Sequence, residues 1–398
     1  KRMKSEIKIT LTTDAKDAVS GADYVITTIR VGDDYGRVLD ERIALRHGVL
    51  GQETTGAGGF AMAMRNIPAI LEYAKLLHDS NPDAWILNFT NPAGLVTQAL
   101  RDQGFERTIG ICDSANGALH AVSSYLDIAS DDLESEVFGL NHLSWGRSVI
   151  KDGRELLTPL LWDEEFHERT LLRLFDSDLV REIGMWLNEY LYYWYYSREA
   201  VQAIQNEELT RGESILKWNN NLLRQLQEIN LETDIELASK IYDEYMKKRI
   251  GTYMSHNDEE QEEYSNPLLM DEEEGYMGVA LNTILSLHTD TPLHTALNVP
   301  NDGAINCMQP NDVVEVSCLV DGKGVHPQKI GDIPKHQEIL MQTVKLYEKL
   351  TIEATIKRSR SLAAHALMNH PLIYSYPLAI QLVDGYLQAH AQFVGEWN

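Results

Sequence analysis

Residues 84–112 read Ala84-Trp-Ile-Leu-Asn-Phe-Thr-Asn-Pro-Ala-Gly-Leu-Val-Thr-Gln-Ala-Leu-Arg-Asp-Gln-Gly-Phe-Glu-Arg-Thr-Ile-Gly-Ile-Cys112. Two short apolar runs, 84–89 and 108–112, enclose a stretch, 93–103, with apolar positions at helical spacing. Strand, helix, strand in so short a span predicts a parallel pair joined by a crossover helix. Upstream, Asp23-Tyr-Val-Ile-Thr-Thr-Ile29 is a β-branched run, and 14–22 and 59–79 carry helical spacing. Residues 7–12 (Ile-Lys-Ile-Thr-Leu-Thr) alternate with period two, as a strand does. The alternation of strands and helices stops near residue 145. Beyond it, 155–250 is helical in pattern, the acidic 254–275 reads as a solvated loop, 313–320 is a strand, and 336–395 returns to helix. Open parallel sheets collect ligands at the carboxyl ends of their strands, which places Arg30, Asn88 to Asn91 and Cys112 to Asp113 on the ligand-facing edge.

The chain has 398 residues, with 35 Lys plus Arg against 60 Asp plus Glu and a formal net charge of −25. Such a surface repels nucleic acid phosphates and anionic headgroups, so neither nucleic acid nor membrane is an expected partner. Three cysteines, Cys112, Cys307 and Cys318, are too few for a disulfide framework and point to a reducing compartment. No run of 18 apolar residues occurs, and the opening Lys-Arg-Met-Lys-Ser-Glu precedes no signal-peptide core; a cytoplasmic protein is expected.

Several clusters could carry chemistry, and each has a bland alternative. Gly56-Ala-Gly-Gly-Phe-Ala61 fits a Gly-x-Gly-x-x-Ala phosphate cradle, but no strand precedes it, which favours a substrate loop or a helix start. Cys112 and His142 each end an apolar segment and could be core residues. If they meet, one thiolate and one imidazole leave a metal ion open to substrate oxygens. Tyr190-Leu-Tyr-Tyr-Trp-Tyr-Tyr196 could be an aromatic stripe at a domain junction; a tyrosine among them becomes a base only if a cation or network lowers its pKa from about 10. Arg30, Arg37, Arg65 and Arg211 are either surface ion-pair partners or parts of an anion clamp.

Together, Ile29-Arg-Val-Gly32, Arg37-Val-Leu-Asp-Glu-Arg42, Gly51-Gln-Glu-Thr-Thr-Gly-Ala-Gly-Gly59, Asn88-Phe-Thr-Asn-Pro-Ala-Gly94, Gly110-Ile-Cys-Asp113, Gly139-Leu-Asn-His142 and Asn301-Asp-Gly-Ala-Ile305 resemble glycoside hydrolase family 4, in its 6-phospho-glucosidase branch. The resemblance implies an α/β fold: a Rossmann-like (malate-dehydrogenase-like) parallel sheet domain over 1–145, N-terminally incomplete, followed by an α+β C-terminal domain over 146–398 for substrate binding and oligomerisation. It implies NAD and a divalent metal, usually Mn²⁺, as cofactors. It also implies an exception to two-carboxylate glycoside hydrolysis. Oxidation at C3 of the sugar acidifies the C2 proton, a side-chain base removes it, the C1–oxygen bond breaks by elimination, water adds, and the hydride returns.

Carried over by position, Cys112 and His142 correspond to the metal ligands, Tyr190 to the C2 base, Glu53 to the residue that raises its basicity, and Asp113 to the general acid. Arg37, Asn91 and Arg211 correspond to substrate-binding positions, and Arg30 and Asn88 to cofactor-binding ones. The expected substrate is a phosphorylated disaccharide or aryl glucoside with β linkage, cleaved by a homodimer or homotetramer. The family's opening glycine-rich strand-turn-helix has no counterpart here, Asp33-Asp34 adds negative charge near the expected phosphate site, and Asp113-Ser-Ala115 matches neither the usual α nor the usual β signature. A 6-phospho-α-glucosidase, an α-galactosidase-type member and a truncated, catalytically silent sugar-binding or scaffold relative are the competing expectations.

Overall fold

The computed structural model describes residues 7–251, 254 and 276–398. Ten strands form one sheet: β1 (Tyr24–Thr27), β2 (Trp85–Asn88), β3 (Thr108–Gly110), β4 (Glu134–Leu140), β5 (Leu143–Lys151), β6 (Arg154–Glu155), β7 (Trp186–Leu187), β8 (Leu293–Pro300), β9 (Val313–Asp321) and β10 (Gly324–Pro327). Their order is β1-β2-β3-β8-β9-β4-β5-β6, with β10 beside β9 and β7 beside β5. The first three strands are parallel and the rest of the pairings are antiparallel. This is the expected Rossmann-like parallel unit followed by an α+β portion.

Residue 145 falls inside β5, and β8 and β9 enter between β3 and β4, so the sheet runs unbroken across the expected boundary. Hydrogen-bonded pairing at both flanks of β8 and β9 makes the two portions one layer. The predicted strand over 7–12 does not form. Ile7, Ile9 and Leu11 are exposed, because among the described residues no strand lies alongside to complete a ladder or cover the apolar face. The acidic stretch 254–275 lies, apart from Met254, outside the described residues.

Local chemistry explains the crossover at 84–112. Leu87 in β2 and Leu95, Val96 and Leu100 of the helix Ala93–Asp102 are buried, each contributing about 1.5–3 kcal/mol by leaving water. The glycine in β3 is a packing requirement, since a Cβ at Gly110 would lie 2.5 Å from Thr97 Oγ1 and 2.8 Å from Asn298 Cβ. A polar row then crosses the sheet at one register: Thr27, Asn88, Gly110, Asn298, Glu315, Gly139 and Ser144 are successive cross-strand partners. The loops that follow β1, β2 and β3 and the β4–β5 turn all open at this row.

Candidate active site

The segment after β3 carries Cys112 and Asp113, and the β4–β5 turn carries His142 in a left-handed conformation (φ 61°). Cys112 Sγ lies 3.5 Å from His142 Nε2, and both residues are buried. Two donors bound at about 2.3 and 2.1 Å to one ion would stand near this separation, so the pair fits a shared divalent metal. Thr54 Oγ1 sits 2.8 Å from His142 Nδ1, an outer contact that aims Nε2 toward the sulfur. The indole N–H of Trp194 donates to His142 O at 3.2 Å and holds the strained turn. Burial lowers the imidazole pKa to about 4 against the opposing pull of Glu53, leaving the ring neutral and able to donate a lone pair. Burial first, then the carboxylates of Glu315 and Asp113, push the Cys112 thiol well up. A cation is what would turn that thiol into a ligand. Among the described residues no third His, Cys, Asp or Glu joins the pair, so further positions would fall to substrate oxygens.

Tyr190 lies in the 3-10 turn Glu189–Leu191, and its ring stacks on His142 with centroids 3.7 Å apart and planes 1° from parallel. Of the aromatic run, Tyr190 stacks on His142, while Tyr192 and Tyr196 stack on each other at 5.0 Å. Burial raises the Tyr195 and Tyr196 hydroxyls to about 12, which suits packing rather than proton transfer.

The loop before the helix Ala57–Ser80 presents Glu53. Its Oε2 accepts from Arg30 Nη2 at 2.6 Å and forms an ion pair with Arg37 Nη1 at 3.0 Å. Burial raises the Glu53 carboxyl, but Arg37 and Arg30 overcome it and hold the pKa at about 2. The charge of Glu53 is among the causes that raise Arg37, and Tyr190 is close enough to add to them. Arg37 Nε also donates to Glu41 Oε1 at 2.7 Å, and Arg30 Nη1 is buried without a partner among the described residues. Glu41 Oε2 accepts the Gly212 N–H at 2.8 Å, which seats the start of the helix Arg211–Gln227 beside the cluster. Arg211 donates to Arg249 O at 2.6 Å and lies over the Trp218 ring.

The glycine-rich 56–59 run forms the start of the helix Ala57–Ser80. A Cβ at Gly58 or Gly59 would fall 2.1 Å from the carbonyl oxygen of Gln52 or Thr54, so these glycines let the Glu53 loop lie against the helix. Arg65 is likewise no clamp: its guanidinium is sealed against Asp40, Val31 O and Ala61 O. Asn88, expected at a cofactor-binding position, has its amide occupied by Thr27, Thr90, Ala93 and Thr97, which leaves its side chain nothing to offer a ligand. Asn91 has its carbonyl held by Asn66 Nδ2 at 2.8 Å. Asp34 accepts a hydrogen bond from Asn219 Nδ2 at 2.5 Å.

Sequence reading missed three residues. Glu315 accepts from Asn141 at 3.2 Å and Asn298 at 3.0 Å, and burial raises its carboxyl. A lone acid in Val-Val-Glu-Val was a legible signal of a buried role. Asn188 bridges Ser114 and Tyr190, and Arg249 lies within electrostatic reach of Glu53; neither stands in a pattern that local sequence marks.

Known proteins share this sequence and fold. The family 4 glycosyl hydrolase model matches residues 1–128, and that of the family 4 glycosyl hydrolase C-terminal domain matches 137–373. The chain is 31% identical over 402 residues to a probable 6-phospho-beta-glucosidase of Bacillus subtilis (strain 168), covering 98% of this chain and 84% of that protein. A phospho-alpha-glucosidase of Clostridium acetobutylicum is 30% identical, over 97% of this chain and 84% of that one. A solved 6-phospho-beta glucosidase from Thermotoga maritima, with manganese, NAD⁺ and glucose-6-phosphate, superposes with a TM-score of 0.81 at 27% identity, covering 99% of this chain and 87% of that one.

Proposed function

The chain belongs to family 4 of the glycosyl hydrolases, and from that premise we propose that it is a 6-phospho-β-glucosidase that uses NAD and a divalent metal such as Mn²⁺. One observation carries the proposal: three distant segments converge on His142, whose imidazole lies 3.5 Å from the Cys112 thiol and stacks on the Tyr190 ring with centroids 3.7 Å apart. When bound, NAD supplies a reversible hydride acceptor and the metal a Lewis acid.

The chain's own residues then move protons and hold the sugar. Cys112 and His142 hold the metal, and the stacked imidazole fixes the Tyr190 ring. Tyr190 takes the C2 proton, with Arg37 near enough to favour the phenolate form. Glu53 tempers that cation through its ion pair, so the phenolate stays basic. Asp113, beside Cys112, protonates the departing oxygen. Arg37 and Arg211 hold the sugar phosphate with Asn91 nearby, while Arg30 turns its spare Nη1 to the cofactor. Substrates are phosphorylated disaccharides or aryl glucosides, and the working form is a homodimer or homotetramer in the cytoplasm.

Assay with the α and β anomers of 4-nitrophenyl glucoside 6-phosphate, with and without NAD and Mn²⁺, tests the proposal. Cleavage of the β anomer that needs both additions is expected. Cleavage of the α anomer alone would replace the β assignment with the specificity of the C. acetobutylicum relative, and cleavage that survives chelation and NAD removal would overturn the cofactor roles.

A further inference from the structure

Asn188 follows β7 and is 2% exposed, between the metal-binding pair and the tyrosine turn. Its Oδ1 accepts the Tyr190 N–H at 3.0 Å and caps the 3-10 turn. Its Nδ2 faces Ser114 Oγ at 3.2 Å, Ser114 O at 3.3 Å and Ser144 Oγ at 3.3 Å. Ser114 Oγ in turn stands 3.1 Å from Cys112 Sγ. The Asn188 backbone N–H donates to Ser144 O at 3.4 Å, which fixes the residue against β5.

We infer that Asn188 is a positioning residue that ties the placement of Tyr190 to the orientation of the Cys112 sulfur. The inference rests on the assignment of Cys112 as metal ligand and Tyr190 as base. A hydroxyl has one proton, and with the Asn188 amide donating to a Ser114 lone pair that proton is left free to point at a thiolate at Cys112. A thiolate that accepts such a bond is oriented and tuned by it. The same planar amide uses its oxygen on the Tyr190 backbone. It cannot turn to serve one partner without releasing the other, so metal ligand and base share one brace. A base held loosely by about 1 Å loses a large part of its rate advantage, whereas ground-state binding of the sugar is carried by the arginines elsewhere.

Three variants separate the links. Asn188→Ala removes both, Asn188→Asp keeps an acceptor for the Tyr190 N–H while losing the donor to Ser114, and Ser114→Ala removes the hydroxyl beside the sulfur. Each is loaded with NAD and Co²⁺, whose near-ultraviolet thiolate charge-transfer absorption reports the Cys112 bond, and is then assayed for kcat and KM after its melting temperature confirms folding. Asn188→Ala is expected to shift the absorption and lower kcat about 10- to 100-fold with KM within about threefold of wild type. Asn188→Asp and Ser114→Ala are expected to shift the absorption, with Asn188→Asp recovering part of the rate. A folded Asn188→Ala with an unmoved band, or with kcat and KM altered only in step with lowered stability, overturns the inference. If wild type itself shows no thiolate band, or Cys112→Ser keeps it, the metal assignment fails and takes the inference with it. That outcome is distinct from a wild-type band that Asn188→Ala leaves unchanged.

Discussion

Two arginine–carboxylate clusters flank the helix Asp33–Arg46, and they differ in closure. In the first, Arg65 grips Asp40 through Nη1 and Nη2 at 2.8 and 2.6 Å, Asp40 Oδ1 also meets His390 Nε2 at 2.7 Å, and all three side chains are out of water. In the second, Glu53 is shared by Arg30 and Arg37, with 17% of Glu53 and 24% of Arg30 still exposed and one Arg30 nitrogen unspent. The first joins the C-terminal helices to the helix Asp33–Arg46, through Tyr386 and His390 on Asp40. The second leaves charge available beside the Cys112–His142 pair. A closed cluster is scaffold and an open one is a site, although both read as the same Arg and Asp or Glu letters in sequence.

That contrast can be broken or sharpened by substitution. The largest effect is expected at the open end: Tyr190→Phe should lower kcat about a thousandfold while leaving KM and the melting temperature near wild type, as steady-state kinetics and thermal unfolding would show. In the closed cluster, Arg65→Ala strands a buried carboxylate and should cost about 3–5 kcal/mol in urea unfolding, with KM of the surviving folded protein unchanged. Arg30→Ala should weaken NAD binding in calorimetry by about tenfold and barely move stability, since only a partly exposed pair is lost. A fall in stability comparable to that of Arg65→Ala would erase the distinction between the clusters.

The smallest effect concerns acid. Glu53 binds its proton near the ordinary 4.5 when unfolded and near 2 when folded, so the unfolded chain holds more protons between those values. Stability from this group is full above about pH 4.5 and is lost as pH falls through about 2. Glu53→Gln should therefore flatten the difference in urea midpoint between pH 4.5 and 2.5; an unchanged slope would show that Glu53 is not held ionised by its arginines.

Legibility in the sequence followed the range of the interactions. The crossover from β2 to β3 could be read because Leu87, Leu95, Val96 and Leu100 bury through local periodicity. The alternating 7–12 segment misled for the same reason, as alternation describes a strand's preference and says nothing of a neighbour. The entry of β8 and β9 between β3 and β4 depends on pairings such as Gly110 with Asn298, nearly half the chain apart, and no local pattern specifies it. At the site, Cys112, His142 and Glu53 could be singled out as candidates because they stand in contiguous motifs, and Tyr190 because it opens a contiguous aromatic run. Asn188, through Ser114, and Arg249, through Glu53, act on partners remote in sequence, and the full occupation of Asn88 became visible only with its neighbours in place.

The central claim is that Tyr190 serves as a proton base at C2 next to a Cys112–His142 metal pair. Turnover of the β-linked glucoside 6-phosphate in D₂O, followed by proton NMR of the released glucose 6-phosphate, tests it most directly. The account predicts deuterium at C2 with the wild-type protein and its loss, together with turnover, in Tyr190→Phe. Product formed at the wild-type rate with hydrogen retained at C2 would contradict it.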